Sequence, residues 1–453
     1  MMMRLSEVSK ILGAPLHGAD VAFDAVSTDT RAIRRGDLFI ALKGERFDAH
    51  AFVAQAAAAG AVAAIVSRPA EADIPQIVVG NTLDALGALA RHWRGRFDLP
   101  LIALTGSNGK TTVKEMLASI LRAQAGSEQV LSTRGNLNNH IGVPLMLLEL
   151  RDYHRYAAIE MGMNHPGEIA QLAAIGRPTV ALVNNAQREH MEFMATVEAV
   201  AQENAAAFAA LPADGTAVVN ADDAHADYFR QAAGAHRVVD FGLERPAAVS
   251  GGYVLKNLSS EIHLRTPAGE ASATLAIPGL HNVRNALAAC ACAHAVGISP
   301  DVMRAGLDQF RPYTGRLQVK RAAGGATVID DTYNANPDSV RAAIDVLAKC
   351  APPTVLVLGD MGEVGEHSVE FHREVGAYAK SRNVSSLCAF GEQAGEAVAA
   401  FGAAASHAQS IEQLLERVQA CATPQTTLLV KGSRFMRMER VVNALTGETG
   451  GAH

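Results

Sequence analysis

Basic excess, aromatic residues, paired cysteines and long apolar runs are all scarce in this chain, and each scarcity excludes something. Lys and Arg total 40 against 46 Asp and Glu, a formal charge of −6. A general nucleic-acid binder carries a basic excess and is excluded. The five cysteines (Cys290, Cys292, Cys350, Cys388, Cys421) are odd in number and scattered, with no CxxC pair. A disulfide framework or zinc knuckle is not expected, and Cys290 and Cys292 read as small residues of an Ala-rich helix. Aromatics make up 5%, too few for an all-β sandwich, which favours aromatic and β-branched residues. No apolar run reaches the ~18 residues of a membrane span. Met1 to Gly13 carries Glu7 and Lys10 where a signal peptide needs its apolar stretch. A cytoplasmic protein without membrane insertion is the expectation.

What is present suffices for real cores: 49% hydrophobic and 19% charged residues exclude disorder. At ~150 residues per domain, 453 residues make about three domains. Short apolar runs alternate with longer Ala-rich amphipathic stretches, the βαβ pattern of α/β folds. Residues 1–85 hold short strands such as Asp37-Leu-Phe-Ile-Ala41 and Gln76-Ile-Val-Val79, with an Ala-rich helix near 50–59 between them. Residues 86–312 form a second α/β unit with strands expected at Leu101–Thr105, Tyr156–Glu160, Thr179–Val183 and Thr216–Asn220. Alternating apolar positions from Gly251 to Leu275 read as an antiparallel appendage. Pro312 and Gly315 discourage helix continuation and mark a hinge into residues 313–453. Four strands are expected there: Ala326–Asp330, Thr354–Leu358, Ser385–Phe390 and Thr427–Lys431. Each ends in polar or glycine-rich sequence, where open parallel sheets bind ligands.

The strongest local signal is Leu101-Ile-Ala-Leu-Thr-Gly-Ser-Asn-Gly-Lys-Thr-Thr112. A buried strand enters a glycine-containing loop (Gly106, Ser107, Asn108, Gly109), then a helix opens with Lys110, Thr111 and Thr112. Backbone N–H groups at such a helix start surround phosphates, Lys110 reaches the β/γ-phosphates, and the Thr111 hydroxyl suits Mg2+. Leu104 stands where the strict Walker pattern has its first glycine, so the loop is a variant. Glu160 closes a neighbouring strand and offers the oxygen donor that Mg2+ requires. His190 follows the next strand in Asn184-Asn-Ala-Gln-Arg-Glu-His190. Amide-rich Thr133-Arg-Gly-Asn-Leu-Asn-Asn-His-Ile-Gly-Val-Pro144 suits a substrate with many carbonyls and charges. Asn282 and Asn285 lie near a helix start, where capping is the ordinary role. Asp330-Asp-Thr-Tyr-Asn-Ala-Asn-Pro-Asp-Ser339 repeats the strand, polar loop, helix pattern, and Lys431 and Arg434 add cations.

Together these segments resemble the Mur ligase family of ATP-dependent amide-forming enzymes, over nearly the whole chain. The phosphate loop is common to the superfamily, folylpolyglutamate synthase included. More specific are Ser27-Thr-Asp-Thr-Arg31, Gly36-Asp-Leu-Phe39 and Phe47-Asp-Ala-His50 in the first unit. Asp331–Ser339, Val357-Leu-Gly-Asp-Met361 and Lys431-Gly-Ser-Arg434 resemble the branch that adds D-alanyl-D-alanine to a UDP-linked muramoyl tripeptide. The resemblance implies three domains, with a central P-loop parallel-sheet ATPase and a Rossmann-like C-terminal domain. It implies ATP, Mg2+, an acyl-phosphate intermediate, and UDP-N-acetylmuramoyl-tripeptide and D-alanyl-D-alanine as partners of a monomer.

By the same resemblance, Lys110, Glu160 and His190 are catalytic, with Thr111, Glu160 and His190 on the metal. Asn285, Arg316 and Asp331 join the loop residues around ATP. Thr30, Arg31, Asp48, Asn138 and Asn139 face the UDP substrate, and Asn334, Asn336, Lys431 and Arg434 the amine substrate. The alternatives are a folylpolyglutamate synthase-like ligase and a non-catalytic nucleotide-binding module.

One departure stands out. Many relatives use a carbamylated lysine to hold a second Mg2+, and its position here is Asn204; no lysine occurs between Lys114 and Lys256. The carbamate cannot form in this region. Glu203 and Glu192 are the nearest acidic candidates, although Glu203 projects about 100° away from Asn204 on a helix.

Overall fold

The computed structural model describes residues 1–44, 47–189 and 191–448. Three α/β layers follow one another along the chain. The first is built on a five-stranded sheet in the order Leu16–His17, Gln76–Val78, Ala63–Val66, Asp37–Ile40, Ala25–Ser27, antiparallel only at its first pair. The Ala-rich segment begins as a 3-10 turn, Ala49–Phe52, before the helix Val53–Ala59, because the Asp48 side chain caps the His50 N–H.

The second layer is a six-stranded, wholly parallel sheet. Its order is Arg237–Phe241, Thr216–Asn220, Val180–Val183, Leu101–Thr105, Tyr156–Glu160, Val130–Ser132. Every residue of Leu101–Thr105 and Val180–Val183 is buried, as expected of parallel strands covered on both faces. Alternation then divides the labour: Ile102 and Leu104 join one core while Leu101 and Ala103 join the other. The first core continues into the third layer through residues such as Val346 and Leu356, and the second into the first layer through Leu38 and Phe23.

Helix Leu280–Ala295 is lined with Ala and Cys and packs against Lys110–Ala125. Helix Pro300–Gln309 crosses Lys110–Ala125 at Gly306, where an added Cβ would lie 2.4 Å from the Ile120 Cα. Ser250–Leu255, Ser260–Thr266 and Gly269–Leu275 form the antiparallel appendage expected from the sequence.

The third layer has six strands rather than four: Gln318–Arg321, Thr327–Asp331, Thr427–Lys431, Thr354–Gly359, Ser386–Phe390, Ala405–Ala408. The two additions are edge strands with few fully buried positions, so their patterning is weak. The expected strands shift by at most one residue, within ordinary fraying. The carboxyl ends of Leu101–Thr105, Tyr156–Glu160, Thr327–Asp331 and Thr427–Lys431 supply residues to the cavities between the second and third layers.

Candidate active site

Strand order reverses on either side of Leu101–Thr105, the position where open α/β sheets bind ligands. The loop leaving that strand needs its glycines. Gly106 and Gly109 have φ of 130° and 84°. A Cβ on Gly109 would lie 2.4 Å from the Asn285 Oδ1. Lys110 opens the helix and its ammonium folds back over the loop, donating to the carbonyls of Gly106 (2.5 Å) and Ser107 (3.0 Å). It also lies 3.2 Å from both carboxylate oxygens of Glu189. This side chain is held over the positions that a helix-start phosphate occupies.

Glu160 is 2% exposed. Its Oε1 accepts from Asn138 Nδ2 (2.8 Å) and Thr111 Oγ1 (3.3 Å). Its Oε2 is buried with no hydrogen-bond partner among the described residues. A buried carboxylate oxygen left without a donor is costly unless something positive meets it. Beside the Thr111 hydroxyl and the phosphate loop, that oxygen fits a hard divalent cation such as Mg2+. Among the described residues no three His, Cys, Asp or Glu side chains form a cage, and Mg2+ held largely by phosphates and water needs none. His190 lies outside the described residues.

Two cavities adjoin the loop. One, of about 540 Å³, is lined by Lys110, Thr111, Asn138, Asn139 and Glu160 from the second layer. Arg316, Tyr333, Asn334, Asn336 and Arg434 line it from the third-layer side. The Arg316 guanidinium stacks 4.1 Å from the Tyr333 ring and Arg434 lies 5.9 Å away, so one aromatic ring meets two cations. Arg316 also reaches the Thr111 hydroxyl at 3.5 Å. Burial pushes the Tyr333 phenol above its ordinary pKa.

The other cavity, about 420 Å³, is walled by side-chain amides. Asn184 donates to Asn285 (3.1 Å) and to the Asn108 carbonyl (2.8 Å), and Asn285 donates to Asn282 (3.1 Å). Asn282 and Asn285 are therefore not caps: Gly279 occupies that position and Asn282 bonds back to the Pro278 carbonyl. His281 in the same wall is pushed down to about 4 by desolvation. Asp331 and Lys431 also line this cavity and are bound to each other at 2.6 Å. Lys431 is 2% exposed and its ammonium is disfavoured by burial, with Asp331 opposing. It is thus a strand-end cation already paired, and it stands apart from Arg434 in the first cavity.

The residues expected at the UDP-substrate end divide. Asn138 and Asn139 line the first cavity, whereas Thr30, Arg31 and Asp48 line neither. Arg31 is paired with Asp29, and Asp48 with His50 and Arg68. Asn204 is fully buried: its Oδ1 accepts from the Thr105 hydroxyl (2.6 Å) and its amide donates to Val200 O (3.0 Å). Glu203 caps helix Glu168–Gly176, accepting from Gly167 N (2.7 Å) and Ile169 N (2.8 Å). Glu203 is a helix cap and not a spare metal ligand, and Asn204 ties the helix to the end of the phosphate-loop strand.

Comparison with known proteins follows the same layers. Residues 5–94 match the model for the Mur ligase family catalytic domain, 104–293 the Mur ligase middle domain, and 315–434 the Mur ligase glutamate ligase domain. The UDP-N-acetylmuramoyl-tripeptide–D-alanyl-D-alanine ligase of Escherichia coli (strain K12) is 42% identical, over 97% of this chain and 98% of that one. The chain belongs to the Mur ligase family. A crystal structure of MurF from Acinetobacter baumannii superposes with a TM-score of 0.92 at 37% identity, over 99% of this chain and 100% of the other. The MurF ligase of Thermotoga maritima in complex with ADP gives 0.84 at 27% identity, over 94% and 97%.

The family's phosphate loop, its Glu160 strand and its Asp331–Ser339 segment all meet here around one pair of cavities. Residues missed in the sequence are Asn184, Asn185, Gln187, Glu189 and Tyr333. The first four follow the strand Val180–Val183, and the rule that ligands sit after parallel strands would have found them.

Proposed function

We infer that this chain is an ATP-dependent ligase that joins D-alanyl-D-alanine to UDP-N-acetylmuramoyl-tripeptide, the step that makes the UDP-muramoyl-pentapeptide precursor of peptidoglycan. One observation carries the reading: the phosphate loop, the half-satisfied Glu160 and the third-layer residues Tyr333, Asn334 and Arg434 line a single cavity. A carboxylate accepts a phosphoryl group poorly because two anions must meet, so fixed positive charge is the main requirement. Lys110, Arg316 and Arg434 supply it from three directions. Mg2+, held by Thr111 and Glu160, would neutralise the phosphates further.

Asn108, Asn285 and Asp331 wall the neighbouring cavity for the rest of the nucleotide. Asn334, Asn336 and Arg434 face the incoming amine, while Asn138 and Asn139 hold the tripeptide end and Thr30, Arg31 and Asp48 the distant UDP end. Burying the cavity between two layers keeps water from the acyl phosphate. The same reading takes residues 1–85, 86–312 and 313–453 as three working units of a cytoplasmic monomer. It agrees with the finding that no described helix is long and apolar enough to cross a membrane.

The test is phosphate release from ATP by the purified chain, supplied with UDP-muramoyl tripeptides ending in meso-diaminopimelate or in L-lysine. Release should require D-alanyl-D-alanine. A folylpolyglutamate synthase-like enzyme would respond to glutamate instead. A nucleotide-binding module would bind ATP and release nothing.

A further inference from the structure

Three consecutive residues, Gln187, Arg188 and Glu189, each bind a different part of the site. Gln187 accepts from Asn108 Nδ2 through its side chain (2.7 Å), and its backbone N–H donates to the Ser107 hydroxyl (2.9 Å). Glu189 faces the Lys110 ammonium. Between them, Arg188 reaches across to the third layer.

Its guanidinium donates to Asp338 through Nη2 (2.6 Å) and to Glu374 through Nη1 (2.7 Å) and Nη2 (3.0 Å). Its backbone N–H donates to Asp338 as well (3.0 Å). Asp338 lies in the first turn of Pro337–Leu347 and Glu374 in Ser368–Ser381, so one side chain clamps two helices of the other layer. The same guanidinium stacks 5.1 Å from the Phe371 ring, and Arg341 also donates to the Glu374 Oε1 at 2.7 Å.

Exposed single ion pairs contribute little. This one differs in being forked to two carboxylates, stacked on a ring and only 24% exposed at the arginine side chain. Hydrogen bonds from Arg188 hold the Glu374 carboxyl below its usual range. The contact continues into the phosphate loop. Asn336, the cap of Pro337–Leu347, exchanges amide hydrogen bonds with Asn108 at 2.9 and 3.4 Å.

We propose that Arg188 is a positioning residue, a latch that docks the third layer on the second and at the same time sets Gln187 and Glu189 against the phosphate loop. Docking of the amine-side layer and arrangement of the phosphate-binding groups then become one event. The role rests on the ligase reading given above, because only a reaction that needs both layers gives the latch a purpose.

The experiment uses the full chain and Arg188→Met, which keeps the apolar stem and removes the fork, with Arg188→Lys as the conservative variant. Methionine at this position should weaken ADP binding severalfold, raise the KM for D-alanyl-D-alanine roughly tenfold and lower kcat. Lysine should recover part of the loss. Arg188→Glu combined with Asp338→Lys and Glu374→Lys should recover more activity than Arg188→Glu alone.

X-ray scattering supplies a readout independent of turnover: with ADP present, Arg188→Met should have a larger radius of gyration than the native chain. Equal scattering together with native KM and kcat would overturn the latch. A native chain that releases no phosphate would end the ligase reading, and the scattering difference would still decide whether Arg188 holds the layers together.

Discussion

Asp48 and Glu160 are two acidic residues that the sequence marks alike, and the structure treats them oppositely. Asp48 accepts from the His50 N–H (3.0 Å), faces the His50 ring (2.5 Å) and binds Arg68 (2.8 Å). Those bonds, the backbone one foremost, hold its carboxyl down at about 2. Glu160 is buried with one oxygen satisfied and the other bare. A carboxylate whose oxygens are all engaged adds to the fold, whereas a buried oxygen without a donor beside the phosphate loop suits a cation. Glu203 falls with Asp48: both of its oxygens are engaged by backbone N–H groups.

The largest expected effect comes from the cation that folds back over the phosphate loop. Lys110→Ala should lower phosphate release by ~10²–10³ with an unchanged circular dichroism spectrum. Near-normal turnover would remove Lys110 from the chemistry. Next, Glu160→Gln and Glu203→Gln change charge with little change in volume, and they should separate. Glu160→Gln should weaken apparent Mg2+ affinity by at least ~10-fold. Glu203→Gln should leave it unchanged and instead cost about 1 kcal/mol of stability, as a weakened helix cap does. A Mg2+ shift of equal size in both would erase the contrast between them.

Asn204 sharpens the contrast from the neutral side. Its amide is enclosed by Thr105 and Val200, so Asn204→Ala should cost ~1–3 kcal/mol in denaturant unfolding. Native turnover should be the same in bicarbonate-depleted buffer. A rate that falls without bicarbonate and returns with it would require a carbamate elsewhere in the chain.

The smallest effects are on pH. His281 titrates at about 4 when folded, below the ordinary 6.5, because desolvation disfavours its cation. Between pH 6.5 and 4 the unfolded chain takes up the proton first, so stability falls as pH falls through that window. His281→Gln should flatten that part of the profile. The Asp48 contribution is fully present above its ordinary value of 3.8 and is lost as pH drops toward about 2. Asp48→Asn should therefore lower Tm slightly at pH 7 and leave the low-pH limb shallower.

Much of this was legible because it is local. The Leu101–Thr105 strand, its glycine loop and Lys110 are contiguous, and burial on both faces leaves an unbroken apolar run to read. Strand-end chemistry in the third layer could be read for the same reason. Arg237–Phe241 and Gln318–Arg321 escaped because they are edge strands whose partial exposure blurs alternation. Arg188 carries no signal in its own neighbourhood. Its partners lie 150 and 186 positions away, and only the packing of two layers brings them together. Lys431 is the opposite case: a basic strand end shows its charge in the sequence, but its pairing with Asp331 is invisible until the parallel neighbours are known.

The central claim is that phosphate is released because an amide is made with D-alanyl-D-alanine. The direct measurement is product mass and phosphate counted together, with native chain, ATP, Mg2+, a UDP-muramoyl tripeptide and the dipeptide. One UDP-muramoyl-pentapeptide should appear for each phosphate, with neither product formed when the dipeptide is withheld or replaced by glutamate. Sustained phosphate release without a pentapeptide, or equal amide yield with glutamate, would contradict the account.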